Sequence, residues 1–268
     1  MPELEFTVNG VRLAVETAGE GPGAVLFIHG FPLDRTIWAP QLAGLSGWRL
    51  VAPDLRGMGR SDAPTTGYSM AGYAADLRGL LDHLGLDRVV LCGLSMGGYV
   101  AFECLRQWRD RVAGLVLMDT RADADTPEGR SGRDAMIAVA REEGAPAVAA
   151  AMLPRLLRPS IHVERPGLPE QVLAMMARTP VDGLVGALEA LRGRPDSRPL
   201  LPTLAGLPTL VVVGEDDGLT PPAAARAMAE AIPGAELEVV PKAAHLPTLE
   251  QPVLTTALLQ RFLDRLAR

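Results

Sequence analysis

The chain has 268 residues, enough for one large core with an inserted subdomain. Its composition, 48% hydrophobic and 22% charged, is that of a soluble globular protein. A formal net charge of -6 gives no support to binding nucleic acid or an anionic membrane, no apolar run is long enough to span a bilayer, and Met1-Pro2-Glu3-Leu4-Glu5 has neither the basic start nor the apolar stretch of a secretory signal.

The first half alternates strand and helix patterns. Glu3–Val8 and Val11–Thr17 read as a hairpin around the turn pair Asn9-Gly10. Ala24–Ile28 and Arg49–Ala52 read as short strands, with a short helix over Thr36–Gly44 between them. The helical spacing of Tyr73, Leu77, Leu80, Leu81 and Leu84 predicts a helix over Ser69–Leu84, with Ser69 as its N-cap. Arg88–Cys92 is a further strand, Gly98–Leu105 a helix, and Gly114–Met118 another strand. Strands apolar throughout and separated by helices imply a mostly parallel sheet covered on both faces.

The alternation stops after Asp119. From Arg121 to Pro202 helical patches such as Arg133–Glu143, Pro146–Leu157 and Glu170–Ala177 alternate with Pro/Gly-rich joints. Strand patterns resume at Thr209–Val213 and Glu236–Val240, and Val253–Leu266 closes the chain as a helix. The expected domain plan is one α/β core, 1–120 and 203–268, with a helical cap over 121–202. Cys92 and Cys104 read as small core residues rather than a bridge, which fits a reducing compartment, the cytoplasm.

Gly93-Leu94-Ser95-Met96-Gly97 fits G-x-S-x-G where a strand meets a helix. Such a turn forces its central serine into a strained backbone and needs small neighbours two residues away, here both glycine. The strain exposes the hydroxyl at a helix N-terminus, marking Ser95 as a candidate nucleophile. A serine hydroxyl then needs a base, and the base an orienting acid. Of four histidines, His83 lies inside a helix and His162 in the cap. His29 and His245 both follow strands, so both reach the sheet edge that presents Ser95. The chain order Ser, Asp, His selects His245. Glu215, Asp216 and Asp217 all follow one strand; Asp217 is preferred because it lies deeper in the turn beside Gly218, with Asp119 in reserve.

An oxyanion needs donors already in place. The N–H of Met96 is one; the N–H of Phe31, in His29-Gly30-Phe31-Pro32, is the second, since Pro32 cannot donate. His29 is expected to hold that loop and to border the substrate, with Met136, Leu153 and Leu157 as the cap's apolar contribution. The cap has no Phe, Tyr or Trp. It does carry Arg130, Arg133, Arg155 and Arg158, which could clamp a substrate carboxylate or simply form a solvated helix face.

The segments FIHGFP (27–32), PDLRGMGRSD (53–62), GLSMGG (93–98), GEDDGLTPP (214–222) and AAHLPTLEQP (243–252) together resemble the α/β-hydrolase fold over nearly the whole chain. The resemblance implies an eight-stranded, mostly parallel sheet with helices on both faces and an inserted helical cap. It also implies that the second Asp of GEDD, Asp217, is the triad acid. Within the superfamily the chain is most similar to small carboxylesterases, 3-oxoadipate enol-lactonases and cofactor-free haloperoxidases or perhydrolases. The expected function is a serine hydrolase cleaving small esters or lactones through an acyl-enzyme. Perhydrolysis and a slow-turnover ligand sensor are the alternatives. No cofactor is expected: the Gly93–Gly98 run lacks dinucleotide-type glycine spacing, and the histidines and cysteines lack metal-ligand spacing. The expected partner is a small ester or lactone, with no nucleic acid and no membrane, for a monomer or homo-oligomer. Epoxide and haloalkane hydrolysis are disfavoured, because those relatives place Asp at the nucleophile position.

Overall fold

The computed structural model describes residues 3–267. Met1 and Pro2, the start of the stretch weighed against a secretory signal, lie outside the described residues, as does Arg268. Among the described residues no helix is long and apolar enough to cross a membrane.

Eight strands form one sheet: β1 (Glu3–Val8), β2 (Val11–Ala18), β3 (Gly23–Ile28), β4 (Trp48–Pro53), β5 (Val89–Leu94), β6 (Val112–Met118), β7 (Thr209–Gly214) and β8 (Glu236–Val240). Their spatial order is β1-β2-β4-β3-β5-β6-β7-β8. β1 and β2 form the expected antiparallel hairpin, and Asn9 and Gly10 both take the positive φ that such a turn demands. β2 also pairs antiparallel with β4, and every later pairing is parallel. β5 and β7 are buried at every residue, so the centre of the sheet is covered on both faces, as uninterrupted apolar runs require.

The helices before the middle segment are α1 (Ala39–Gly44), α2 (Met70–His83) and α3 (Met96–Trp108). Ser69 caps α2 by accepting from the Gly72 N–H at 2.9 Å, and Tyr73, Leu77, Leu80 and Leu81 are its fully buried stripe. α2 packs on α3, and the Trp108 indole N–H donates to the Ala74 carbonyl across that joint. Cys92 and Cys104 are buried and unpaired.

Between β6 and β7 the described chain forms α4 (Pro127–Glu142), α5 (Ala145–Leu156), α6 (Ile161–Glu164), α7 (Gly167–Met176) and α8 (Val181–Arg192). The rest of the fold adds α9 (Pro222–Ala231), α10 (Pro247–Glu250) and α11 (Pro252–Leu266), the last packed on α1. α4 begins six residues before the expected Arg133, because Thr126 caps it and Pro127 opens it. α8 escaped the sequence reading. Its Leu184, Leu188 and Leu191 have helical spacing, but Gly183 and Gly186 weaken the pattern. Packing demands those glycines: a Cβ at Gly183 would stand 1.8 Å from the Gly57 carbonyl oxygen, and one at Gly186 2.1 Å from the Tyr68 ring.

β3, β5, β6, β7 and β8 run parallel, so the segments leaving their C-terminal ends emerge along one edge. Those segments carry Gly30, Ser95, Asp119, Asp217 and His245.

Candidate active site

β5 turns into α3 at Ser95, which holds φ 54° and ψ -115°. A residue other than glycine rarely stays there unless its surroundings over-determine it. Here the Ser95 N–H donates to the Met118 carbonyl at 2.9 Å. The Ser95 carbonyl accepts from the Gly98 N–H and from the Thr120 hydroxyl, at 2.9 and 2.8 Å. The flanking glycines are steric necessities. A Cβ on Gly93 would lie 2.4 Å from the Gly97 carbonyl oxygen, and one on Gly97 2.0 Å from that of Ile28. The Ser95 hydroxyl makes no hydrogen bond among the described residues and faces a cavity.

Three carboxylates follow β7, and burial separates them. Glu215 and Asp216 are exposed, whereas Asp217 is 3% exposed. Its Oδ2 lies 2.8 Å from His245 Nδ1 and 2.6 Å from the Thr220 hydroxyl. Its Oδ1 accepts from the N–H groups of Leu219 and Thr220. Burial alone would push this carboxyl up; the bonds to His245 and Thr220 outweigh it, and the group settles below its ordinary value. With Nδ1–H given to Asp217, the network assigns the His245 lone pair to Nε2.

The loop after β3 presses on the elbow. A Cβ on Gly30 would meet the Ser95 Cβ at 3.0 Å, and the loop folds back through a Leu33 N–H to Gly30 carbonyl bond of 3.0 Å. Among the described residues, neither the Phe31 nor the Met96 N–H has an acceptor. Both residues line the cavity with Ser95 and His245.

His29 stands elsewhere. It is fully buried and does not line the cavity, so its expected place beside substrate is corrected. Its Nε2 accepts from the Leu55 N–H and its Nδ1 bonds the Gly30 carbonyl, both at 3.0 Å. Burial pulls its pKa down, and this doubly bonded neutral ring ties the loop after β3 to the segment after β4.

The cavity holds about 330 Å³. Of the three residues of the 121–202 segment expected to border the substrate, Met136 lines this cavity and Leu153 and Leu157 do not. Leu157 instead borders a separate depression with Pro154 and Arg158. The apolar wall comes from Met152 on α5, Leu188 and Leu191 on the unforeseen α8, and Leu219. Aromatic surface comes from the core, through Phe31 and Tyr99.

Charge in the cavity is lopsided. Arg121, Arg133, Arg155 and Arg194 line it against Asp125 and Glu128. Asp125 is held by Arg194 at 2.6 Å and Arg133 at 3.1 Å, and Arg121 pairs with Asp123 at 2.5 Å. Arg155 is exposed and has no ion pair or hydrogen bond among the described residues. Of the four arginines singled out from the sequence, Arg130 is exposed outside the cavity, and Arg158 is buried against Glu164 and Glu250. Of those four, Arg133 and Arg155 line the cavity, joined there by Arg121 and Arg194.

One oxygen each of Asp119 and Asp217 and one ring nitrogen of His245 lie within 4.8 Å of one another, a spacing that could hold a cation. Two of those groups are already joined by the 2.8 Å bond.

A family model for the alpha/beta hydrolase fold matches residues 23–252. The chain belongs to this family. It is similar to a thermophilic esterase from Thermogutta terrifontis, solved with malate bound: 41% identity, 99% of each chain covered, TM-score 0.94. It is also similar to the enol-lactonase from Burkholderia xenovorans LB400, at 31% identity over 97% of this chain and 100% of the other, TM-score 0.90. Among curated proteins, 3-oxoadipate enol-lactonase 2 of Acinetobacter baylyi is 27% identical over 94% of both chains. These relatives support a hydrolase acting on ester bonds.

Proposed function

We propose that the protein is a serine hydrolase that cleaves small carboxylic esters or lactones through an acyl-enzyme. The observation that carries this reading is the buried Asp217–His245 bond, which turns the His245 lone pair toward the cavity that Ser95 lines. His245 Nε2 takes the Ser95 proton as Oγ attacks the carbonyl carbon, and Asp217 stabilises the imidazolium. The oxyanion meets the N–H groups of Phe31 and Met96. The imidazolium then protonates the leaving alkoxide, and water, deprotonated by the same ring, releases the acid. The helices of 121–202 act as a cap that closes over the acyl group. Mixing enzyme with a p-nitrophenyl ester should give a burst of nitrophenol stoichiometric with enzyme and an acyl mass increment on the Ser95 peptide. A burst with the increment on another residue overturns the assignment.

The cavity charge favours a substrate that itself carries a carboxylate. Four guanidinium groups face two acids there, and Arg155 pairs with no acid among the described residues. A planar guanidinium lining the same cavity as the reacting serine suits a second carboxylate on the acyl or alcohol part. The malate in the Thermogutta relative, a dicarboxylate, supports the same preference.

A further inference from the structure

Asp119 is a buried carboxyl for which this mechanism has no use. It directly follows β6, holds φ 45°, and is fully buried. Its N–H donates to the Val212 carbonyl, and its Oδ1 accepts from the Gly214 N–H at 2.8 Å, at the base of the acid loop. Its chain neighbours Met118 and Thr120 hold the two backbone groups of Ser95. Asp119 therefore sits between the nucleophile elbow and the acid loop. Its Oδ2 has no hydrogen-bond partner among the described residues.

The groups that face it are Asp217 from the loop after β7, His245 from the loop after β8, and Glu250 from α10. Two carboxyls this close and this dry do not both ionise. Asp217 has the stronger hold on charge, with donors from His245, the Thr220 hydroxyl and two main-chain N–H groups. Among the described residues, Asp119 has as donor the Gly214 N–H alone. Burial, and next the charge of Asp217, push the Asp119 carboxyl well above its ordinary range, while Asp217 lies below its own.

We propose that Asp119 is a positioning residue that carries the proton of this carboxyl pair and donates it through Oδ2 to the Asp217 carboxylate, while Oδ1 ties down the acid loop. The unpartnered oxygen becomes a donor with an acceptor facing it. His245 then feels one negative charge rather than two. A second charge would stabilise the imidazolium and keep His245 from taking the Ser95 proton. This inference rests on the triad reading, but the position of a proton is measurable without turnover.

The test follows the His245 ring by NMR titration in wild type, Asp119→Asn and Asp119→Ala, alongside infrared difference spectra and kinetics. The Asn amide keeps both a neutral donor and an acceptor. The His245 pKa should then stay within about 0.3 units of wild type, whereas removal of a real charge would lower it by roughly a unit or more. Subtracting the Asn spectrum from wild type at neutral pH should leave the C=O stretch of a protonated carboxylic acid. Asp119→Ala, which leaves the Gly214 N–H unpaired, should lower kcat by about tenfold to a hundredfold, and Asn should restore it to within about fivefold. A fall of the His245 pKa in the Asn variant, or no carboxylic-acid band, overturns the proposal. If Asn does not fold, Asp119→Ser supplies the same subtraction. If the acyl increment is found away from Ser95, the triad reading fails, yet the titration still reports where the Asp119 proton lies.

Discussion

The main-chain N–H of His245 donates to the carbonyl of Leu156, the last residue of α5, at 3.1 Å. The histidine loop is thus bonded to the helical segment over the cavity. Glu250 doubles the link: its buried carboxylate accepts from the Arg158 N–H at 3.1 Å and from the Ala244 N–H at 2.7 Å. One side chain spans Arg158, two residues beyond α5, and Ala244, the residue before His245, so movement of α5 is felt at the His245 loop.

Glu250→Ala should therefore damage both stability and rate. It strands two N–H groups that cost roughly 1–3 kcal/mol each when buried unpaired, so Tm should drop by about 5 °C or more. In the surviving folded enzyme kcat should fall more than KM rises, because the change displaces the base rather than the substrate wall. A normal kcat with a raised KM would place Glu250 in substrate binding instead.

Ser95→Ala should abolish ester turnover by several orders of magnitude while the protein stays folded. The hydroxyl makes no hydrogen bond among the described residues, whereas the elbow is braced through backbone groups that alanine retains. The checks are steady-state kinetics and a melting curve on the same sample. A folded variant with a tenth of wild-type turnover would exclude Ser95 as nucleophile.

Asp217→Asn should cripple turnover and Asp216→Asn should be mild. Asp217 bonds the His245 ring from a buried position, and an amide there stabilises neither the tautomer nor the imidazolium. Asp216 is exposed one residue away. Equal losses in kcat/KM at the two positions would contradict this division.

Stability against pH separates Asp119 from an ordinary acid. Its ordinary value is 3.8, and the folded value lies well above that. Between those limits the folded state binds more protons than the unfolded chain, so wild-type stability falls as pH rises through that window and is fully present below it. Asp217, held below its ordinary value, works the other way and loses its contribution only as pH falls under 3.8. Asp119→Asn removes the first dependence and keeps the second. Its Tm minus that of wild type should grow as buffers go from about pH 4 to about pH 8. Parallel curves would mean that Asp119 ionises normally in the folded protein.

The strands were legible because uninterrupted apolar runs bounded by turn residues leave little choice of structure. The strained turn at Ser95 was legible because its glycine spacing is dictated by backbone contact. Asp217 was preferred among three neighbouring carboxylates for its depth in the turn, and burial is what separates it from the exposed Glu215 and Asp216. Glu250 stood unremarked inside the segment 243–252, since nothing in its spacing shows that its carboxylate would accept from two distant N–H groups. The cavity wall was the least legible part. Spacing shows that α5 has an apolar face, but which leucine faces the site depends on how α5 and α8 cross, and two glycines hid α8.

Substrate charge is the decision left to the cavity. Met136, Met152, Leu188 and Leu191 form an aliphatic wall, so neutral p-nitrophenyl esters should improve from acetate to butyrate as each buried methylene adds about 0.8 kcal/mol, then fall when the chain outgrows about 330 Å³. Arg155 acts on a different part of the substrate. An acidic lactone, or a monoester of a dicarboxylic acid, should exceed the butyrate ester in kcat/KM. Because Arg155 is exposed and its charge is screened, Arg155→Leu should raise KM for the acidic substrate by only about threefold to tenfold and move the neutral ester much less. The effect should shrink as salt is added. Equal shifts for both substrates would show that Arg155 shapes the wall without reading charge, and a flat acetate-to-butyrate series would show that the methionines and leucines do not hold the acyl chain.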